Sequence, residues 1–130
     1  MAKISADIAK VVDITARRND SFYLKVTLTN EDGTIYDVID SNGASYEAHL
    51  KVYNNDELVL GFTSVTSGDN SPIINSTITV SGSDASLTIA TTANNMGLYS
   101  GSYKYKMYVS SSTDNETNTV IVGKFKVIDI

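Results

Sequence analysis

The sequence has no cysteine and no tryptophan, and only one proline and one histidine. Without cysteine there is no disulfide, no thiolate nucleophile, no iron–sulfur cluster and no Cys-based zinc site. A single histidine excludes His-rich metal sites and leaves catalysis one imidazole. Charge is sparse, 19% of residues, and acidic: 15 Asp and Glu face 10 Lys and Arg, a formal net charge of −5. Nucleic-acid binders draw their affinity from clustered Lys and Arg, so this balance argues against a nucleic-acid partner. No apolar run is long enough to span a bilayer, and residues 1–10 do not read as a signal peptide, so no membrane partner is expected.

What remains is a chain of 130 residues, 42% of them hydrophobic. That suits one domain of ordinary size, burying about two-thirds of its unfolded surface, and excludes an extended disordered polyanion. Serine and threonine together number 30. Their side chains compete for backbone hydrogen bonds in helix interiors, whereas Thr, Val, Ile and Tyr suit a pleated, half-buried surface.

Period-two alternation is the dominant pattern. Phe22, Leu24, Val26 and Leu28 alternate with Tyr23, Lys25, Thr27 and Thr29. Asp-Gly at 32–33 supplies a turn, with a short return strand at 35–38 and a second turn at 40–43. Tyr46, Ala48, Leu50 and Val52 then alternate with Glu47, His49, Lys51 and Tyr53. Residues 54–56 turn the chain into Leu58, Leu60 and Phe62. A weaker strand holds Ile74, Ser76, Ile78 and Val80, and another holds Ala85, Leu87 and Ile89. Thr92 is placed to cap one helical turn ended by Gly97.

Two long strands follow. Tyr99, Gly101, Tyr103, Tyr105, Met107 and Val109 share one face of the first; Ser100, Ser102, Lys104, Lys106 and Tyr108 share the other. In the last strand Ile121, Gly123, Phe125 and Val127 point inward, with Lys124 and Lys126 outward. Seven to eight strands with polar turns and no crossover helices predict an all-β fold, an antiparallel, Ig-like β-sandwich, with a closed barrel as the alternative. The domain is expected over 13–130. Residues 1–12, with Ile4, Ile8, Val11 and Val12 at near-helical spacing, read either as a frayed extension of the first strand or as an arm that docks on a neighbour.

Several side chains are candidates for chemistry. Asn30, Asp32, Asp37 and Asp40 surround two turns, but their spacing fails the EF-hand pattern, and turn formation explains them more simply than a cation. His49 shares the solvent face with Glu47 and Lys51, and no nearby nucleophile or acid is proposed by the sequence, so it reads as a solvated or interface residue. Tyr99, Tyr103 and Tyr105 form either a stacking platform or, as the simpler reading, the core face of the longest strand. Tyr23, Tyr53 and Tyr108 lie opposite the core faces, and exposed tyrosine is typical of interfaces. With Ile4 and Ile8 they are the expected protein-contact residues. No catalytic residue, cofactor or metal is expected, and the chain reads as a non-enzyme.

Two segments carry a family resemblance. One runs Asp13-Ile14-Thr15-Ala16-Arg17-Arg18-Asn19-Asp20-Ser21-Phe22 and on through Asp32-Gly33-Thr34-Ile35-Tyr36-Asp37-Val38. The other is Leu98-Tyr99-Ser100-Gly101-Ser102-Tyr103-Lys104-Tyr105, followed by Gly123-Lys124-Phe125-Lys126-Val127. Together they resemble the small β-sandwich domains of tailed-bacteriophage virion proteins, the N-terminal domain of upper-baseplate proteins among them. Those domains carry D-I-T-x-x-R-G-D-T-F, then D-G-x-x-x-D-L, G-x-Y-x-Y and G-x-F-x-V. Here Asn19 stands where the family has Gly, and Asn tolerates left-handed backbone better than most residues.

The resemblance implies a virion protein made in the host cytoplasm, with other virion proteins as partners and self-association as a further expectation. It supplies no catalytic residues. Met1 at the start, and an end three residues past Val127, are expected of a free-standing chain. That size suits an auxiliary or decoration protein of the capsid; a tail or baseplate component and a carbohydrate- or cell-surface-binding module are the alternatives.

Overall fold

The computed structural model describes residues 10–28, 46–66, 72–81, 85–111 and 116–129. Its strands are β1 (Lys10–Val11), β2 (Ile14–Arg17), β3 (Phe22–Thr27), β4 (Glu47–Asn54) and β5 (Glu57–Thr63), then β6 (Ile73–Ile74), β7 (Ile78–Ser81), β8 (Ser86–Thr91), β9 (Gly101–Ser111) and β10 (Glu116–Ile128). They form two sheets, and the fold is an Ig-like β-sandwich. The larger sheet runs β1-β10-β9-β4-β5-β6, with β2 also on β10; the smaller runs β3-β8-β7.

The alternating side chains meet between the sheets. Leu50, Val52, Phe62, Met107, Val109 and Phe125 come from the larger sheet, Phe22, Leu87 and Ile89 from the smaller, and all are buried. The Phe22 ring bridges the layers, stacked on Phe62 at 6.2 Å and edge-on to Phe125 at 5.8 Å. Burying one such ring contributes about 1.5–3 kcal/mol, and each aromatic pair about 0.5–1.5 kcal/mol more.

Most pairings are antiparallel, but the N-terminal strand runs parallel to β10. Val11 lies opposite Val122 and Ile14 opposite Phe125, so β1 and β2 keep one register and form a single edge strand interrupted at Val12 and Asp13. The first strand is therefore extended from Lys10 onward.

The structure corrects four local expectations. The run from Ile74 to Val80 is not one strand: β6 joins the larger sheet and β7 the smaller. Between them Ser76 takes φ 61°, its N–H donates to the Val65 carbonyl at 2.8 Å, and the Thr77 hydroxyl donates to the Ile74 carbonyl at 2.9 Å. Thr92 precedes a 3-10 turn at Ala93–Asn95 but makes no side-chain cap; instead Asn95 Nδ2 donates to the Thr91 hydroxyl at 2.8 Å, and Met96 rather than Gly97 closes the turn. Tyr99 precedes β9 and is 75% exposed, so it leaves the core stripe that Tyr105 joins and Tyr103 half joins. A register shift between Thr119 and Ile121 also brings Val120 into the core beside Ile121.

The turn at Asn19 follows the expectation. Asn19 adopts φ 60°, and its N–H donates to the Met96 carbonyl at 2.7 Å. Ile4 and Ile8, the return strand at 35–38, both turns around it, and Asn30, Asp32, Asp37 and Asp40 lie outside the described residues.

Candidate interaction surface

The outward face of the larger sheet is built by the polar half of each alternation. On β4 it carries Glu47, His49, Lys51 and Tyr53; on β9, Ser102, Lys104, Lys106, Tyr108 and Ser110; on β10, Lys124 and Lys126. Cross-strand register turns these into rows. His49 faces Tyr108, Lys51 faces Lys106, and Tyr53 faces Lys104, which on its other side faces Lys124.

His49 and Tyr108 are stacked, with ring centroids 4.8 Å apart and planes 18° from parallel. The His49 Nε2 lies 3.8 Å from a Glu47 carboxylate oxygen and 3.5 Å from the Ser110 hydroxyl. The ammonium groups of Lys51 and Lys106 each lie 5.4 Å from the Tyr108 ring centre. Tyr108 is thus a half-buried aromatic hub, stacked on His49 and with two cations near its ring. Tyr53, at the far end of the face, borders two shallow recesses of about 300 and 260 Å³. Asn55, Asp56 and Lys104 line both, and Asn55 at φ 56° makes the adjoining turn.

Of the expected contact residues, the structure brings Tyr53 and Tyr108 onto this one face. It does not bring Tyr23 to them. Tyr23 is 68% exposed on β3, so it points outward from the opposite sheet. Alternation within each strand assigned these outward positions, but it carried no information on which strands would pair.

A second cluster escaped the sequence reading. At the break between β1 and β2, the Tyr105 hydroxyl donates to the Val12 carbonyl at 2.6 Å, and the Lys124 N–H donates to an Asp13 carboxylate oxygen at 3.0 Å. A side chain at Gly123 would set its Cβ 2.1 Å from the Val12 oxygen. Burial, reinforced by the nearby Asp13 carboxylate, pushes the Tyr105 phenol up to about 12. This joint is structural: it seals the N-terminal strand onto β10. At the neighbouring end Arg18 lies over the Tyr99 ring at 4.8 Å, with its guanidinium 3.8 Å from Asp129.

No family model and no curated protein matches the chain. Among solved structures, CopC from Methylosinus trichosporium OB3b matches at 15% identity and a TM-score of 0.41, over 98% of this chain and 91% of that one. The extracellular domain of the voltage-gated sodium channel beta4 subunit matches at 17% and 0.39, over 100% and 99%. The ZIG-8–RIG-5 IG1–IG1 heterodimer matches at 14% and 0.37, over 98% and 90%.

Proposed function

We propose that this chain is a non-enzymatic structural protein of a tailed-bacteriophage particle, an auxiliary or decoration protein of the capsid acting through protein–protein contacts. The observation that carries this reading is the outward face of the larger sheet, where Tyr108 stacks on His49 with Lys51 and Lys106 near its ring, and Tyr53 lies on the same face. Ordered aromatics offer large contact area at low entropic cost, which is what a protein interface requires. The family-like motifs support the same reading through their roles. Asn19 makes the left-handed turn, while Asp13, Tyr105 and Gly123 build the joint that fastens the N-terminal strand onto β10. The partners under this reading are other virion proteins, a major capsid protein first and tail or baseplate proteins second.

Immunogold labelling of particles purified from cells that express this reading frame tests the proposal. Label on the head supports it; label confined to the tail moves the chain to the tail or baseplate; particles without the chain end the proposal.

The recess beside Tyr53 favours a second reading, a carbohydrate-binding module. Asn54, Asn55, Asp56 and Ser102 offer hydrogen bonds there, and Tyr53 offers a ring to stack on a sugar. Glycan-array binding that Tyr53→Ala abolishes would support it, and an array without signal would remove it.

A further inference from the structure

The recess beside Tyr53 opens onto a row of lysines. Tyr53 on β4 lies opposite Lys104 on β9, and Lys104 lies opposite Lys124 on β10. Adjacent strands are about 4.8 Å apart, so these three positions form a line across the sheet. Lys106 and Lys126 stand on opposite sides of that line, each two residues and about 7 Å along its strand. All four lysines are exposed, and among the described residues no carboxylate forms an ion pair with any of them. Like charges directly opposite each other destabilise a sheet, so the fold holds Lys104 and Lys124 together against their own repulsion. An anion bound between them would relieve it.

The recess adds a second requirement. Its lining joins Tyr53, Asn55, Ser102 and Lys104 with the exposed carboxylate of Asp56. A ligand whose polar groups were all anionic would be repelled by Asp56. One that carries hydroxyls beside its anion can donate to Asp56, lay a C–H face on the Tyr53 ring and give its anion to Lys104. An acidic sugar combines these groups in one ring. Nucleic acid does not: its phosphates are dense, about one charge per 1.7 Å of duplex, and a chain of net charge −5 repels them. On the carbohydrate reading of this recess, we infer that its ligand is an acidic polysaccharide, a chain of carboxylated sugars. One unit occupies the recess, and the carboxylates of the units that follow lie along Lys104, Lys124 and Lys126. Each exposed charge contact is weak alone, and several on one polymer act together.

Binding of the purified chain to immobilised polygalacturonate, read by biolayer interferometry, tests it. Binding is expected at about 0.1 M salt, where charges act over about 10 Å, and should weaken sharply near 1 M, where the range falls to about 3 Å. Dextran has the hydroxyls without the charge, and polyglutamate the charge without the hydroxyls; each should bind about tenfold more weakly or worse. The variant Lys104→Gln with Lys124→Gln should weaken polygalacturonate binding about tenfold. It also removes a repelling pair, so its thermal stability should be unchanged or higher. Tyr53→Ala should weaken binding too, whereas Tyr53→Phe, which keeps the ring, should retain it. Lys25→Glu on the smaller sheet shifts net charge as much as the double variant and should leave binding nearly intact. Polyglutamate or duplex DNA bound as tightly as polygalacturonate overturns the inference in favour of a general anion-binding face. Dextran bound as tightly, with the lysine variant unchanged, overturns it and leaves the carbohydrate reading standing. A chain that binds none of these polymers also overturns it, and the carbohydrate reading then stands or falls on the glycan array.

Discussion

The hydroxyl of Tyr105 donates to the carbonyl of Val12 at 2.6 Å, joining residues 93 apart in the chain. Around this bond the N-terminal edge strand is fastened to β10 at the one place where its ladder breaks. Tyr105 and Gly123 face each other across β9 and β10, so the phenol lies beside the gap left by the missing side chain and reaches the Val12 oxygen.

Removing that hydroxyl should loosen the strand. Tyr105→Phe keeps the ring that packs edge-on to Phe125 at 6.3 Å, but it leaves a carbonyl without its donor. A loss of about 1–2 kcal/mol is expected in urea unfolding. Amide exchange should accelerate first over residues 10–17.

The same phenol gives stability an alkaline dependence. Its folded pKa is raised to about 12 from the ordinary 10.0. Between those values the unfolded chain sheds the proton while the fold retains it, so the contribution is fully present below pH 10 and is lost as pH rises toward 12. Stability measured at steps from pH 9 to 11.5 should fall more steeply in the native chain than in Tyr105→Phe. Equal slopes would show that the proton is not held at Tyr105.

Gly123 cannot accept a side chain without moving backbone. Its added Cβ would lie 2.1 Å from the Val12 oxygen and 2.8 Å from the Val12 carbonyl carbon. Gly123→Ala should therefore displace the edge strand and cost about 2–4 kcal/mol, read from the midpoint of denaturant unfolding. Gly97→Ala, whose Cβ would meet nothing closer than 3.9 Å, is the matched control and should change stability little.

The left-handed turn at Asn19 separates backbone strain from side-chain loss. With φ at 60°, Asn19→Ala should destabilise by about 1 kcal/mol, whereas Asn19→Gly should be neutral or stabilising. Thermal melts of the two variants compare them directly. Equal losses would assign the role to the amide group instead of the backbone.

The facing lysines make an electrostatic prediction. Lys106→Glu turns the Lys51–Lys106 repulsion into attraction. It should stabilise the fold by about 0.5–1 kcal/mol at low salt, with the gain fading as salt rises. A loss of stability at low salt would mean that the Lys106 contact with Tyr108 outweighs the repulsion.

Much of this fold was legible in single strands. β4 reads buried at Ala48, Leu50 and Val52 and more open at His49, Lys51 and Tyr53, as its alternation predicts, because a period of two has only two faces to assign. The same holds for Tyr105, Met107 and Val109 on β9. Alternation failed where the chain leaves the ladder. Ser76 turns left-handed and divides one apparent strand between two sheets, and Tyr99 lies outside β9, so its parity no longer reports a face. The register shift at Thr119 resets parity and buries Val120.

Composition and alternation by themselves determined the all-β class, the two-faced strands and which of the tyrosines and lysines inside the strands point away from the core, since these follow from local chemistry and a fixed repeat. Only the tertiary structure decided which outward residues stand together. Pairing set Lys51 against Lys106 and Lys104 against Lys124, parted Tyr23 from Tyr53 and Tyr108, and brought Val12 to Tyr105 and Gly123. Those relationships are made between strands distant in sequence, where register is chosen by the packing of the whole sandwich and not by any one segment.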